Sequence, residues 1–191
     1  MKILSTLAVC GFAVLGLTAC MTSTAVHASG DSTKSAPPKK EVAPWMKNLT
    51  PLNESPKRED KVVLSDEAWK KKLTKEQYKI LRTHGTEPAF CGIFHDNKKT
   101  GHYICAGCDL PLFRSDDKFD SGTGWPSFFQ PYDAKESLWY REDTSYNMYR
   151  VEVLCQRCDG HLGHVFPDGP KPTGLRFCIN SDALKFVEKK D

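Results

Sequence analysis

The sequence predicts a mainly β protein: a compact antiparallel β domain with small peripheral helices. Three observations lead there. A stretch from Tyr146 to Leu154 alternates with period 2. Short apolar runs are separated by clusters of Gly, Pro and Asp, notably Pro167-Asp168-Gly169-Pro170. Helical start signals are confined to the ends of the folded region.

Taken in order, Ser65 can cap a turn whose first residues, Asp66 and Glu67, suit the positive end of a helix. Thr74-Lys75-Glu76-Gln77 is a capping-box pattern, and Ile80 and Leu81 continue that helix until Gly85 stops it. Pro88 blocks any continuation. His102 to Cys105 is a short strand candidate. In the 146–154 run, Tyr146, Met148, Arg150, Glu152 and Leu154 fall on one face and Asn147, Tyr149, Val151 and Val153 on the other. Gly163 to Phe166 and Leu175 to Asn180 are further strand candidates, and Ser181 to Leu184 can start a short last helix.

Ahead of this lie two segments of different character. Lys2 is the only charge before Asp31, and Ile3 to Leu17 is almost wholly apolar. That run is short for a membrane span, which needs about 20 apolar residues, and fits a secretory signal peptide. Leu17-Thr18-Ala19-Cys20 resembles the lipobox of bacterial lipoproteins, which implies a signal peptide over 1–19, lipidation of Cys20, and a periplasm-facing membrane anchor. The other reading is cleavage after Val26-His27-Ala28, giving a soluble periplasmic protein. Residues 20–61 are rich in Ser, Thr, Pro and Lys and read as a flexible tether, with Trp45-Met46 its one apolar spot. The remaining residues, 62–191, are ordinary in length for one domain. They hold 19 Lys/Arg and 19 Asp/Glu. The net charge of +3 therefore sits outside the domain, and a nucleic-acid partner, which demands a basic stripe, is not expected.

Eight cysteines divide by position. Cys10 lies in the leader. Cys105/Cys108 and Cys155/Cys158 form two Cys-x-x-Cys pairs separated by 46 residues. Two such pairs suit a tetrahedral four-cysteine zinc site, with no open position and a structural role. Disulfides remain an alternative in an exported chain, as does a thioredoxin-like redox pair, although that motif belongs beside a βαβ unit. His161 and His164 follow Cys158 too closely to complete a two-cysteine, two-histidine finger. Cys178 sits in Arg176-Phe177-Cys178-Ile179-Asn180, with Arg176 and Asn180 on its own side of a strand. Nearby positive charge lowers a thiol pKa, and histidines can supply acid and base. The residues alone leave open whether Cys178 is such a nucleophile or a small buried hydrophobe.

The strings Ser121-Gly122-Thr123-Gly124-Trp125-Pro126-Ser127-Phe128, His161-Leu162-Gly163-His164-Val165-Phe166-Pro167-Asp168-Gly169-Pro170 and Gly174-Leu175-Arg176-Phe177-Cys178-Ile179-Asn180-Ser181 resemble the methionine sulfoxide reductase B family. His84-Gly85-Thr86-Glu87-Pro88 and Cys108-Asp109-Leu110-Pro111-Leu112-Phe113 match as well, so the resemblance covers about residues 65–187. It implies reduction of the R epimer of methionine sulfoxide, free or in proteins. Zinc would be the structural metal, with no organic cofactor, and the protein a monomer.

By the same resemblance, Cys178 is the nucleophile that becomes a sulfenic acid. His164 is the acid toward the sulfoxide oxygen, with His161 assisting. Trp125 is an apolar wall for the substrate methyl group, Asn180 holds the hydrogen-bond network, and Arg176 favours the thiolate. Many relatives carry a resolving cysteine where this chain has Thr123. Cys91 resembles an alternative resolving position, which implies a Cys91–Cys178 disulfide reduced by a thioredoxin-like donor. The other reading makes Cys91 a buried bystander and lets an external thiol attack the sulfenic acid. Two further classes, a non-catalytic zinc module and a disulfide oxidoreductase using Cys105 and Cys108, predict respectively no need for Cys178 and reactive thiols in a Cys-x-x-Cys pair.

Overall fold

The computed structural model describes Trp45 and residues 49–190. The expected leader, Cys20 and most of the tether lie outside the described residues. Among the described residues two helices come first, α1 (Asp66–Lys72) and α2 (Lys75–Thr83). Ser65 Oγ accepts the Ala68 N–H at the start of α1, and the full capping box of Thr74 and Gln77 opens α2. α2 ends at Thr83, two residues before the expected glycine. His84 adopts the left-handed conformation at its C-cap, and the Gly85 N–H then closes onto the Lys79 carbonyl.

Nine strands follow among the described residues, every pair antiparallel. They are β1 (Gly101–Cys105), β2 (Pro111–Arg114), β3 (Lys118–Phe119), β4 (Ser127–Phe128), β5 (Leu138–Asp143), β6 (Arg150–Cys155), β7 (His161–Phe166), β8 (Arg176–Ile179) and β9 (Leu184–Glu188). One sheet has the order β2-β1-β9 and the other β3-β4-β8-β7-β6-β5. Aromatic rings join them. Tyr103 and Phe113 of the small sheet meet Phe128 and Phe177 of the large one, with Phe113 stacked on Phe128 at 4.2 Å and Phe177 5.9 Å from Phe113. All four are fully buried, so they supply much of the apolar area that stabilises the sheet pair.

Two expectations are corrected. The alternating run from Tyr146 becomes a strand only at Arg150, because Tyr146 and Asn147 both take left-handed backbone angles and form a tight turn. Once β6 begins it lies between β5 and β7, and Val151 to Cys155 are buried on both faces. At the C-terminus, the expected helix is a single turn, Ser181–Ala183, that leads straight into β9.

Residues 49–61, assigned by composition to the tether, run along the domain. Leu49 is buried, and Trp45 packs against the core. The Leu52 N–H donates to the Tyr140 carbonyl, and the Val62 N–H to that of Arg157. Lys61 reaches Asp159 at 2.8 Å and the Gln156 carbonyl at 2.9 Å. These anchors are mostly polar, which is why a scan for apolar residues passes over them.

Candidate active site and metal centre

The two Cys-x-x-Cys turns are copies of one another. Cys105 and Cys155 each end a strand, and their carbonyls accept the N–H of Asp109 and Asp159, both at 2.9 Å. Both aspartates sit at positive φ, a conformation their short polar side chains tolerate. The turns face each other across the two sheets. Cys105 Sγ lies 3.6 Å from Cys158 Sγ, and Cys108 Sγ 3.5 Å from Cys155 Sγ.

A disulfide requires about 2.05 Å, whereas sulfurs 2.3 Å from a tetrahedral zinc stand about 3.8 Å apart. The four sulfurs lie within 4.8 Å of one another and are buried. The geometry therefore fits structural zinc held by Cys105, Cys108, Cys155 and Cys158. α2 covers this centre: a Cβ at Gly160 would lie 2.8 Å from Leu81 Cδ2, so the Leu81 side chain packs directly on the second turn. Arg82 donates to the Cys158 carbonyl at 2.9 Å.

Cys178 lies in the middle of the large sheet. Its backbone partners are Ser127 on β4 and His164 on β7. A cavity of about 140 Å³ opens beside it, lined by Cys178, Trp125, His164, Asn180, Thr86 and Phe166 among others. Gly163 allows the strands to close here, because a Cβ at that position would stand 2.0 Å from the Cys178 carbonyl oxygen. Behind the thiol, Ser121 Oγ bridges Thr123 Oγ1 at 2.8 Å and Ser127 Oγ at 2.7 Å.

Burial pushes the Cys178 thiol above its ordinary range. The charge of Arg176 and hydrogen bonds from Thr123 and Arg176 pull the other way without overcoming it. Arg176 is itself engaged, its Nε and Nη2 each 2.9 Å from an Asp168 oxygen, and it stands outside the cavity lining.

The two histidines each hold a carboxylate. His164 Nε2 lies 2.7 Å from Asp143 Oδ2, and His161 Nδ1 lies 2.6 Å from Glu152 Oε1. Strict alternation would send residues three apart to opposite faces. A bulge between β6 and β7 instead brings the two rings to 5.4 Å. Burial pushes His164 below the ordinary histidine value; Asp143 opposes this and Arg150 adds to it. Burial raises Asp143, but hydrogen bonds from Ser145 and His164 and the charge of Arg150 outweigh it and hold it well below the usual carboxylate range. Glu152 is likewise raised by burial yet held well below that range by His161, His84 and Arg141.

Sequence reasoning missed the supports of this site. Asp143 and Glu152 are two of them. Glu87 is a third: it is buried, and its carboxylate accepts the N–H of Ser181 at 2.6 Å and of Asp182 at 3.0 Å. Its own N–H donates to Asn180 Oδ1, and its carbonyl accepts the Trp125 indole N–H, both at 3.0 Å. Asn180 Nδ2 donates onward to the Leu162 carbonyl at 2.9 Å. Cys91, four residues after Glu87, is exposed rather than buried, and its loop is tied to Gly124 through the Phe90 N–H at 2.8 Å. The available signal was Glu152 itself, an acid between Val151 and Val153 in a strand buried from Val151 onward.

Comparison with known proteins gives the family of the chain. Residues 73–188 match the SelR domain model. This chain belongs to the methionine sulfoxide reductase B family. Its relatives include the peptide methionine sulfoxide reductase MsrB of Leptospira interrogans, 58% identical over 126 residues, or 65% of this chain and 95% of that protein. The MsrB of Pseudomonas aeruginosa is 56% identical over 124 residues, covering 65% and 93%. That of Bradyrhizobium diazoefficiens is 56% identical over 132 residues, covering 69% and 94%. The family match at residues 73–188 includes both metal-binding turns.

Proposed function

We propose that this peptide methionine sulfoxide reductase acts on the R epimer of methionine sulfoxide, free or in proteins, with Cys178 as its nucleophile. The observation that carries the reading is the cavity in which Cys178, His164 and Trp125 converge. Trp125 offers the methyl group an apolar wall, its indole held by Glu87.

The Cys178 thiolate attacks the sulfoxide sulfur while His164, assisted by His161, protonates the oxygen. The S–O bond breaks as the oxygen passes to Cys178, which becomes a sulfenic acid, and methionine leaves. Cys91 then attacks that sulfur, releasing water and forming a Cys91–Cys178 disulfide. A thioredoxin-like dithiol reduces the disulfide and is itself oxidised. The exposure of Cys91 supports this role. Zinc supplies no step, since four thiolates leave it no open position. The lipobox-like stretch ending at Cys20 supports an envelope location, with the tether holding the enzyme at a membrane and an exported dithiol protein as reductant. No helix among the described residues is long and apolar enough to cross a membrane.

The test is dithiothreitol-dependent turnover of separated R and S methionine sulfoxide by the zinc-loaded domain. Turnover of R alone, lost in Cys178→Ser, is expected. Turnover of S, or of neither epimer, overturns the reading.

A further inference from the structure

Beside the cavity runs a second, larger depression of about 890 Å³, and its inner wall holds a group of side chains that the reduction does not use as a unit. His84 Nδ1 and His161 Nδ1 converge on one carboxylate oxygen, Glu152 Oε1, at 2.7 and 2.6 Å. One ligand atom from each of the three residues lies within 4.8 Å of the other two. We propose that His84, Glu152 and His161 form a second metal site, distinct from the four-cysteine centre, for a divalent transition metal that prefers nitrogen and oxygen donors.

Two imidazoles and one carboxylate on one side of an ion are the donor set of open, partly solvated transition-metal centres. The elements that carry them are rigid where needed and yielding where needed. Glu152 and His161 stand on adjacent strands, with side chains only 6% and 2% exposed. His84 is the left-handed cap of α2 with its side chain 49% exposed, so it can swing to admit an ion from solvent.

The other oxygen of Glu152 is already fixed by Arg141, whose Nε and Nη2 approach it at 2.9 and 2.7 Å. Such a partner orients a ligating carboxylate from outside the coordination sphere. The groove is not hostile to a cation: Lys79, Arg141 and Arg150 are balanced there by Glu142, Asp143 and Glu152. Metal–donor distances near 2.1 Å are reached if the three atoms part by a few tenths of an ångström.

The proton balance is simple. In the hydrogen-bonded state each Nδ1 carries its proton toward Glu152. On binding, a neutral imidazole gives Nδ1 to the metal and carries its proton on Nε2. The shift gives up the two Nδ1 hydrogen bonds to Glu152, which coordination replaces, and breaks none at His161 Nε2, which is buried and has no partner among the described residues. A filled site would hold His161 as a ligand and prevent it from assisting His164. That consequence rests on the mechanism above, whereas binding of the ion does not.

The experiment uses the full domain with zinc in its four-cysteine centre and Cys91→Ser and Cys178→Ser in place, so that no other thiol can take metal. Co²⁺ is titrated at neutral pH by calorimetry and visible absorption. The expected result is one further equivalent per chain, with weak ligand-field bands, no thiolate charge-transfer band and no zinc release. His84→Ala, at an exposed position, should weaken that binding by at least about tenfold. Cobalt that enters only by displacing zinc at the cysteines, or a further equivalent that His84→Ala leaves unchanged, overturns the proposal.

Discussion

His164 and Cys178 are direct cross-strand partners, one on β7 and the other on β8, in register at the centre of the large sheet. Burial moves their pKa values apart, the thiol upward and the imidazole downward. The resting pair is therefore thiol and neutral imidazole over a wide range of pH, and one proton is shared between the proposed nucleophile and the proposed acid. The rate should follow a broad bell. Its acid limb falls below the ordinary histidine value of about 6.5 and its alkaline limb above the ordinary thiol value of about 8.5. His164→Gln should lower kcat by about 10²–10⁴-fold and remove the acid limb. Steady-state rates on R methionine sulfoxide across pH measure both.

Asp143 governs the position of that limb and part of the fold's acid resistance. Its hydrogen bond raises His164 against the effect of burial, so Asp143→Asn should move the acid limb still lower. The carboxyl of Asp143 is depressed in the folded protein. Its contribution to stability is thus full above the unfolded value of about 3.9 and is lost as pH falls through the folded value. Denaturation midpoints should fall less steeply below about pH 4 in Asp143→Asn than in the parent.

Recycling should separate from chemistry at Cys91. Cys91→Ser should release one equivalent of methionine per enzyme in a single turnover, yet stall with a thioredoxin-like donor. Thr123, whose hydroxyl reaches the Cys178 thiol, offers a second route. Thr123→Cys in that background should restore turnover. Undiminished recycling by Cys91→Ser alone would remove Cys91 as the resolving thiol.

Trp125 is held by one hydrogen bond to the Glu87 carbonyl. Trp125→Phe keeps a ring but loses that bond, which is worth about 1 kcal/mol. The expected change is about a fivefold fall in kcat/KM, with little change in melting temperature. A drop in stability with unchanged kcat/KM would make Trp125 a packing residue.

Zinc removal should unfold the domain rather than merely inactivate it. The centre ties β1 of the small sheet to β6 of the large one through Cys105 and Cys155. A structural zinc site contributes its binding energy to folding. Chelation under reducing conditions should abolish cooperative melting of the domain, followed by near-ultraviolet dichroism.

Local chemistry made much of this legible. Capping residues announced both helices, the Cys-x-x-Cys spacing announced the metal centre, and the Cys178-x-Asn180 spacing picked out two residues that line one cavity, whereas Arg176 turns to Asp168. What stayed hidden depends on neighbours distant in sequence. Glu152 and Asp143 look like ordinary strand and turn acids until β7 supplies their histidines. The bulge that unites His161 with His164 exists only in the pairing of β6 with β7. Glu87 follows a helix as an unremarked loop acid, and its work is done on backbone amides more than 90 residues away. β5 and β9 carry too many charges for apolar periodicity to find them.

The six described cysteines lie at three depths: Cys91 exposed, Cys178 partly covered, and the four metal-binding sulfurs buried beneath α2 and the sheets. An enzyme that handles oxidised sulfur is itself made of oxidisable sulfur, and here accessibility sorts which atoms react. Peroxides meet Cys91 and Cys178 before they can reach the four buried sulfurs. Damage would therefore be spent first on Cys91 and Cys178, while the sulfurs that join the two sheets react last.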